Sequence, residues 1–158
     1  MWNLYFICIV LKYDYISPVL NLCKKQLVKF SKKLEYSLIA LNHLAGSGSE
    51  VTRVRDISEK YNIPHDLLAK ILQKLKKEGI LESVQGVNGG YKLSRLLSEI
   101  PLMDLYGFIE SNTGIVECMQ DDVSSCDVSV NCTIKDPMSK MQTEFENLLK
   151  TKMVSDFV

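Results

Sequence analysis

Residues 57–95 read ISEKYNIPHDLLAKILQKLKKEGILESVQGVNGGYKLSR, and the change of apolar period along this stretch decides the fold. Pro64 stands where a helix would start, in the first turn, where a missing N–H costs nothing. After it Leu67, Leu68, Ile71, Leu72 and Leu75 recur three and four apart, an apolar stripe of helical period. His65, Asp66, Lys70, Gln73, Lys74 and Lys77 fall on the other face, and Gly79 stops the helix. Two strand-like runs follow, Ile80–Val84 and Tyr91–Arg95, separated by Gln85–Gly90. Asn88-Gly89 between such runs signals a hairpin, because both residue types tolerate positive φ. Helix, turn, helix and hairpin make a winged helix, mainly α with one small β-hairpin. That architecture implies DNA reading by its second helix, with the hairpin as wing.

Upstream, Leu34, Leu38, Ile39, Leu41 and Leu44 make Phe30–Ala45 an amphipathic helix with Ser31 as N-cap. Gly46-Ser47-Gly48-Ser49 ends it. Thr52 is expected to cap the next helix, whose Val54, Ile57 and Tyr61 form a buried face, and Asn62-Ile63 is the turn before Pro64. Residues 29–100 thus make the winged-helix domain.

Downstream, residues 101–158 form a Cys-loop and dimerisation region. Ile100–Ser111 reads as a helix with Leu102, Leu105, Phe108 and Ile109 on one face, broken by Asn112-Thr113-Gly114. Glu117–Cys132 is an aperiodic loop rich in Asp, Ser and Cys. After Asp136-Pro137, the spacing of Met138, Met141, Phe145, Leu148 and Leu149 predicts a final helix. Little chain remains to cover its apolar face, so a two-fold homodimer is expected in preference to a fold-back onto its own winged helix.

The 158 residues suffice for one good core, and 46% apolar with 24% charged residues is ordinary globular composition. Zero net charge hides an asymmetry. Residues 29–100 carry 12 Lys and Arg against 8 Asp and Glu, whereas residues 101–158 carry 4 against 10. Only the first segment is suited to approach phosphates. Of five Cys, three lie within 15 residues, which points to a metal or redox site in a reducing compartment. Residues 1–28 read as a foreign leader. The apolar run Met1–Leu11 is well short of the roughly 20 residues a membrane span needs. An upstream extension from a misjudged start, with translation beginning at Val28, is the preferred reading. A short membrane-associating or dimer-packing helix is the other.

Two groups of residues carry chemistry. His65, Asp66, Ala69 and Lys70 would meet base edges if the helix enters a major groove, with Gln73 and Lys74 one turn on. The bland alternative is a solvated helix face; the adjoining hairpin favours DNA. In the wing, Gln85, Asn88 and Tyr91 flank Gly89 and Gly90, which would permit positive φ and close approach to phosphate or simply make a tight turn, while Lys92 and Arg95 would reach backbone. The second group is Cys118, Cys126 and Cys132, spaced C-x7-C-x5-C. Three thiolates suit an iron–sulfur cluster or zinc and need a fourth ligand, and free or redox-active thiols are the alternative. No nucleophile–base arrangement, Walker loop or dinucleotide fingerprint appears, so no enzyme is expected.

The segments Phe30–Leu38 (FSKKLEYSL) and Gly86–Leu93 (GVNGGYKL), with the three downstream Cys and the helix opening CTIKDP, resemble the Rrf-type winged-helix regulators over residues 28–158. The resemblance implies a cytoplasmic homodimer whose last long helix crosses its mate. It further implies a [2Fe–2S] or [4Fe–4S] cluster on Cys118, Cys126 and Cys132, whose state sets affinity for an operator, most often as a repressor. Members that ligate through His have it three residues after the last Cys, where Lys135 stands here. In the nitric-oxide-sensing branch an acidic residue of the first helix reaches over from the partner subunit, and Glu35 matches it as the fourth ligand; Asp136, Asp127 and Glu117 follow. Ala69 and Gln85 replace a site-discriminating Glu and a common wing Arg, which bears on target sequence and not on DNA binding itself. Cluster-free members leave a thiol switch, structural zinc or another effector as the alternative.

Overall fold

A computed structural model of the chain describes residues 30–48, 50–86, 89–110, 112–116 and 131–158. The elements are α1 (Lys32–Gly46), α2 (Val54–Tyr61), α3 (His65–Lys77), β1 (Leu81–Val84), β2 (Gly90–Leu93), α4 (Leu102–Ile109) and α5 (Lys135–Lys150). Short 3-10 turns occupy Leu97–Glu99 and Val154–Phe157. The expected winged helix is present. Residues 1–28, Asn88, Ser111, Cys118 and Cys126 lie outside the described residues, so the readings of the leader, the hairpin tip and most of the Cys loop do too. No helix among the described residues is long and apolar enough to cross a membrane.

Local chemistry sets the helix ends. Ser31 caps α1, its Oγ accepting the Leu34 N–H at 3.2 Å. Asn62 closes α2 in the left-handed region (φ 52), while the Ile63 N–H reaches Ser58 O at 3.0 Å and Ser58 Oγ donates to Ile63 O at 2.7 Å. These bonds fix the tight turn into α3. Pro64 precedes the first helical residue by one position instead of occupying the first turn. Gly79 (φ 72) ends α3 with paired bonds, Gly79 N to Lys76 O and Ile80 N to Leu75 O, both 3.0 Å. This pair satisfies the last carbonyls as a Schellman motif does.

The hairpin pairs Leu81 with Leu93 through Val84 with Gly90, antiparallel. Thr52 is not the cap expected of it. Arg53 holds the N-cap position of α2 but does not cap it through its side chain, and Thr52 exchanges two 2.9 Å backbone bonds with Tyr91. A buried β-branched residue thereby adds a third, one-residue strand to the wing. Tyr61 likewise departs from expectation. It is exposed, with its ring edge-on to His43 (centroids 5.6 Å apart) and its hydroxyl 3.3 Å from His43 Nδ1.

One apolar cluster joins these elements. Leu34, Leu41 and Leu44 of α1, Ile57 of α2 and Leu68, Leu72 and Leu75 of α3 are almost wholly buried, and Leu102 and Leu105 of α4 share the cluster. Each such side chain contributes about 1.5–3 kcal/mol relative to exposure. Helix α4 spans Leu102–Ile109, shorter than the expected Ile100–Ser111, and α5 starts two residues before Pro137. On one side α5 lies against α4, with Phe145 edge-on to Tyr106 at 6.4 Å and Tyr106 edge-on to Phe30 at 6.3 Å. The chain beyond α5 turns back: Leu102 N donates to Lys152 O (2.7 Å), and Val154 N to Ile100 O (2.9 Å). Val154 is fully buried there.

Candidate functional site

Two faces of α3 are separated by its period. Leu68, Ile71, Leu72 and Leu75 turn inward, while His65, Asp66, Lys70, Gln73 and Lys74 are exposed and Ala69 is half-buried. Lys76 and Lys77 continue the exposed face, so α3 presents four lysines against one aspartate. Asp66 is almost wholly solvated beside His65 (3.5 Å) in the first turn, where the helix dipole favours a carboxylate. A cleft of about 190 Å³ opens along one edge of α3, lined by Lys33, Leu67, Lys70, Ile71, Lys74 and Ile109. Lys33 comes from α1. Helical period places it on a surface but gives no sign that this surface faces α3.

The wing glycines lack the positive φ expected of them. Neither Gly89 nor Gly90 has positive φ; that conformation falls to Gly86 (φ 113). A Cβ at Gly90 would overlap the Thr52 carbonyl, and one at Gly89 the Val84 carbonyl. Both glycines therefore let the chain's own backbone approach itself. Tyr91 is half-buried against the core, and Lys92 is held by Glu82 across the hairpin at 2.6 Å. Gln85 and Arg95 remain exposed on the wing.

Two polar contacts meet at the C-terminal end of α4. Ser31 Oγ donates to the Glu110 carboxylate, tying the start of α1 to the end of α4. Lys74 Nζ lies 3.5 Å from the Ile109 carbonyl oxygen, so a lysine of α3 sits at the negative end of α4. Burial and the nearby Glu110 push the Tyr106 phenol above its ordinary value, which keeps it protonated. Glu35, one turn into α1, is paired with Lys32 and half-exposed. Cys132 is half-buried with a free thiol, three residues before α5. No group of three or more metal-ligating side chains occurs among the described residues, of which Cys118 and Cys126 are not part.

Gln142 of α5 is a residue that sequence reasoning passed over. It is 8% exposed, and its carboxamide binds the segment that leads into the Cys loop. Ile115 N–H donates to Gln142 Oε1 at 2.8 Å, and Gln142 Nε2 donates to Thr113 O at 3.1 Å and to Glu146 Oε1 at 2.9 Å. A signal was present. Gln142 interrupts the spacing Met138, Phe145, Leu149 on the face of α5 that turns inward.

Comparison with known proteins agrees with this geometry. The Rrf2 family, described as an iron-dependent transcriptional regulator, matches residues 30–158. The HTH-type transcriptional regulator NsrR of Bacillus licheniformis is 27% identical over 132 residues, covering 83% of this chain and 92% of its own. Protein aau3 of Rhizobium meliloti is 29% identical over 131 residues, covering 83% and 85%. Among solved structures, IscR of T. potens superposes with a TM-score of 0.59 at 26% identity, over 82% of this chain and 85% of that one. CymR, the global cysteine regulator of B. subtilis, superposes with a TM-score of 0.62 at 21% identity, over 82% and 95%. The last likeness is one of fold alone. A basic helix beside a locked wing, on a chain matched almost throughout its described length, has one reading: this protein belongs to the Rrf2 family of DNA-binding transcriptional regulators.

Proposed function

We propose that the protein is a homodimeric repressor that reads an operator with α3 and the wing, and senses iron–sulfur, redox or nitric oxide state through Cys118, Cys126 and Cys132. The observation that carries the reading is the exposed lysine face of α3 set beside the wing, with Lys74 reaching the end of α4, where the Cys-bearing segment begins. Base-edge contacts fall to His65, Asp66, Ala69, Lys70 and Gln73, and phosphate contacts to Lys74 and the wing at Gln85 and Asn88.

Dimerisation falls to the outward face of α5. Ile134 (57% exposed), Met141 (42%) and Leu148 (54%) stand one heptad apart, the spacing of a helix–helix seam. Two copies joined there would present two α3 helices to half-sites about one DNA turn, ~34 Å, apart.

Three thiolates are the soft donor set that iron–sulfur chemistry requires, and Cys132 is free and half-buried as such a ligand must be before loading. Glu35 of a partner subunit would complete the set, leaving a solvent-screened pair with Lys32 that costs little to release. A cluster held there supplies a centre that oxidants and nitric oxide modify. The chain's part is to convert loop rearrangement into a shift of α3 through Lys74 and the end of α4. A coupling of about 1–3 kcal/mol changes operator affinity 5- to 150-fold.

Anaerobically purified protein should be brown, with iron and acid-labile sulfide, and a Cys132→Ala variant should be bleached and altered in operator affinity. Colourless protein without iron after reconstitution overturns the cluster. The thiol-switch or structural-zinc reading would then stand, favoured by Lys135 at the place where His-ligating members carry their fourth ligand.

A further inference from the structure

We infer that Lys33, in the first turn of α1, holds a backbone phosphate at the wall of the groove that α3 enters, in the cleft between the two helices. The inference rests on α3 being the helix that reads DNA. It extends that interface to a helix outside the helix-turn-helix, and it does not depend on what the protein senses.

The position of the cleft around α3 sets its ligand. At about 100° per residue, with Ala69 at the origin, Gln73 lies about 40° round the helix and Asp66 about 60°. Lys70 follows at about 100° and Lys74 at about 140°, and the buried side begins with Ile71 at about 200°. A helix about 10–12 Å across, side chains included, fills a major groove about 12 Å wide. The centre of its exposed arc therefore meets base edges, and its flank meets the phosphates of the groove wall. Lys74 is on that flank, Lys70 is on its border, and Lys33 lines the same cleft from α1.

Charge points the same way. Three lysines border a cleft of about 190 Å³ whose apolar lining is Leu67, Ile71 and Ile109. Ile71 and Ile109 are buried, and charges beside apolar surroundings are screened less than charges in open water. None of the three lysines is ion-paired among the described residues. The acids near the start of α1 are taken: Glu35 pairs with Lys32, and Glu110 accepts from Ser31. Lys33 also breaks a local rule. A cation in the first turn of a helix opposes the macrodipole, whose positive end favours anions. Glu35 offsets Lys32 in that turn, whereas Lys33 has no such partner among the described residues. A bound phosphate removes the conflict, because the lysine and the helix end both attract it.

The test needs no operator, because a backbone phosphate carries no sequence information. Full-length wild type, Lys33→Gln, Lys33→Arg, Lys74→Gln and Lys152→Gln are titrated with a mixed-sequence duplex of about 30 base pairs, roughly three helical turns. The titrations are made at about 50 and about 200 mM salt. Each phosphate contact adds about 0.9 to the logarithmic salt slope, so this rise in salt costs about 3.5-fold in affinity per contact. Lys33→Gln should bind more weakly at low salt. Its affinity should then fall about 2- to 3.5-fold less than the wild type's for each protomer on the duplex, the lower figure applying where Lys70 or Lys74 keeps part of the phosphate's charge. Lys33→Arg should keep the wild-type slope. Lys152→Gln makes the same change of charge just beyond α5 and should leave the slope alone. Melting temperatures should match the wild type's, since Lys33 and Lys152 are both exposed. An unchanged slope in Lys33→Gln, or an equal change in Lys152→Gln, overturns the inference. If Lys74→Gln still shows a shallower slope in that case, α3 stands as the reading helix. Wild-type protein that binds no duplex at low salt overturns the inference and the DNA reading together.

Discussion

Helices α3 and α5 are both long and amphipathic, yet they stand in opposite relations to their surroundings. Every Leu and Ile of α3 except Leu67 is buried within the chain, and what it offers outward is lysine. Only Leu149 and Gln142 of α5 are buried, and what it offers outward is Met141 and Leu148. An apolar face closed by its own chain marks a finished structure. The open face of α5 is the one that the proposed homodimer would cover.

The contrast can be broken by substitution. Leu72→Ala in α3 removes a fully buried side chain. The loss should be about 2–5 kcal/mol, read as a lower melting temperature with operator binding lost alongside. An unchanged melt would mean that the core of the reading half is looser than its burial implies. Gly90→Ala drives a methyl group into the Thr52 carbonyl and forces the backbone apart. A cost of about 1–3 kcal/mol is expected, with weaker DNA binding because the wing is displaced.

Leu148→Gln on the open face should change the folding of the protomer by no more than about 0.5 kcal/mol, as surface substitutions do. Sedimentation should instead report half the mass, and operator binding should lose its two-site affinity. Loss of circular dichroism in that variant would show that α5 is finished after all. The smallest effect concerns His43. Partial burial and the Lys60 ammonium 3.4 Å away lower its proton affinity below the ordinary value of 6.5. As pH falls below that value, the unfolded chain takes up the proton more readily than the folded one, so stability declines on acidification and is fully present above it. His43→Gln should flatten the melting temperature between about pH 7.5 and 5.5.

Features governed by neighbours in sequence were legible from it. Ser31 as cap, Asn62 and Gly79 as stops, and the stripe Leu68, Ile71, Leu72 and Leu75 follow from backbone and period alone. Thr52 was misread because a Thr before a helix is by local rules a cap, and its real partner, Tyr91, lies across two helices and a hairpin. Gly90 carries the other side of the same contact: its lack of a side chain leaves room for the Thr52 carbonyl, a need that no neighbour in sequence announces. In the candidate site the lysines of α3 could be assigned, but Lys33 and Gln142 could not, since each depends on which helix packs opposite. Glu35 needs a second chain to become a ligand, so no reading within one protomer tests it.

The two backbone bridges also order events in time. Thr52 pairs with Tyr91, and Pro101 pairs with Met153. The first closure encloses α2, α3 and the hairpin, and needs no residue beyond the wing. The second encloses the whole thiol-bearing segment and α5, and waits for the last residues of the chain. Since chains emerge from the ribosome N-terminus first, at about 5–20 residues per second, the hairpin and the helices it encloses can close several seconds before α5 is anchored.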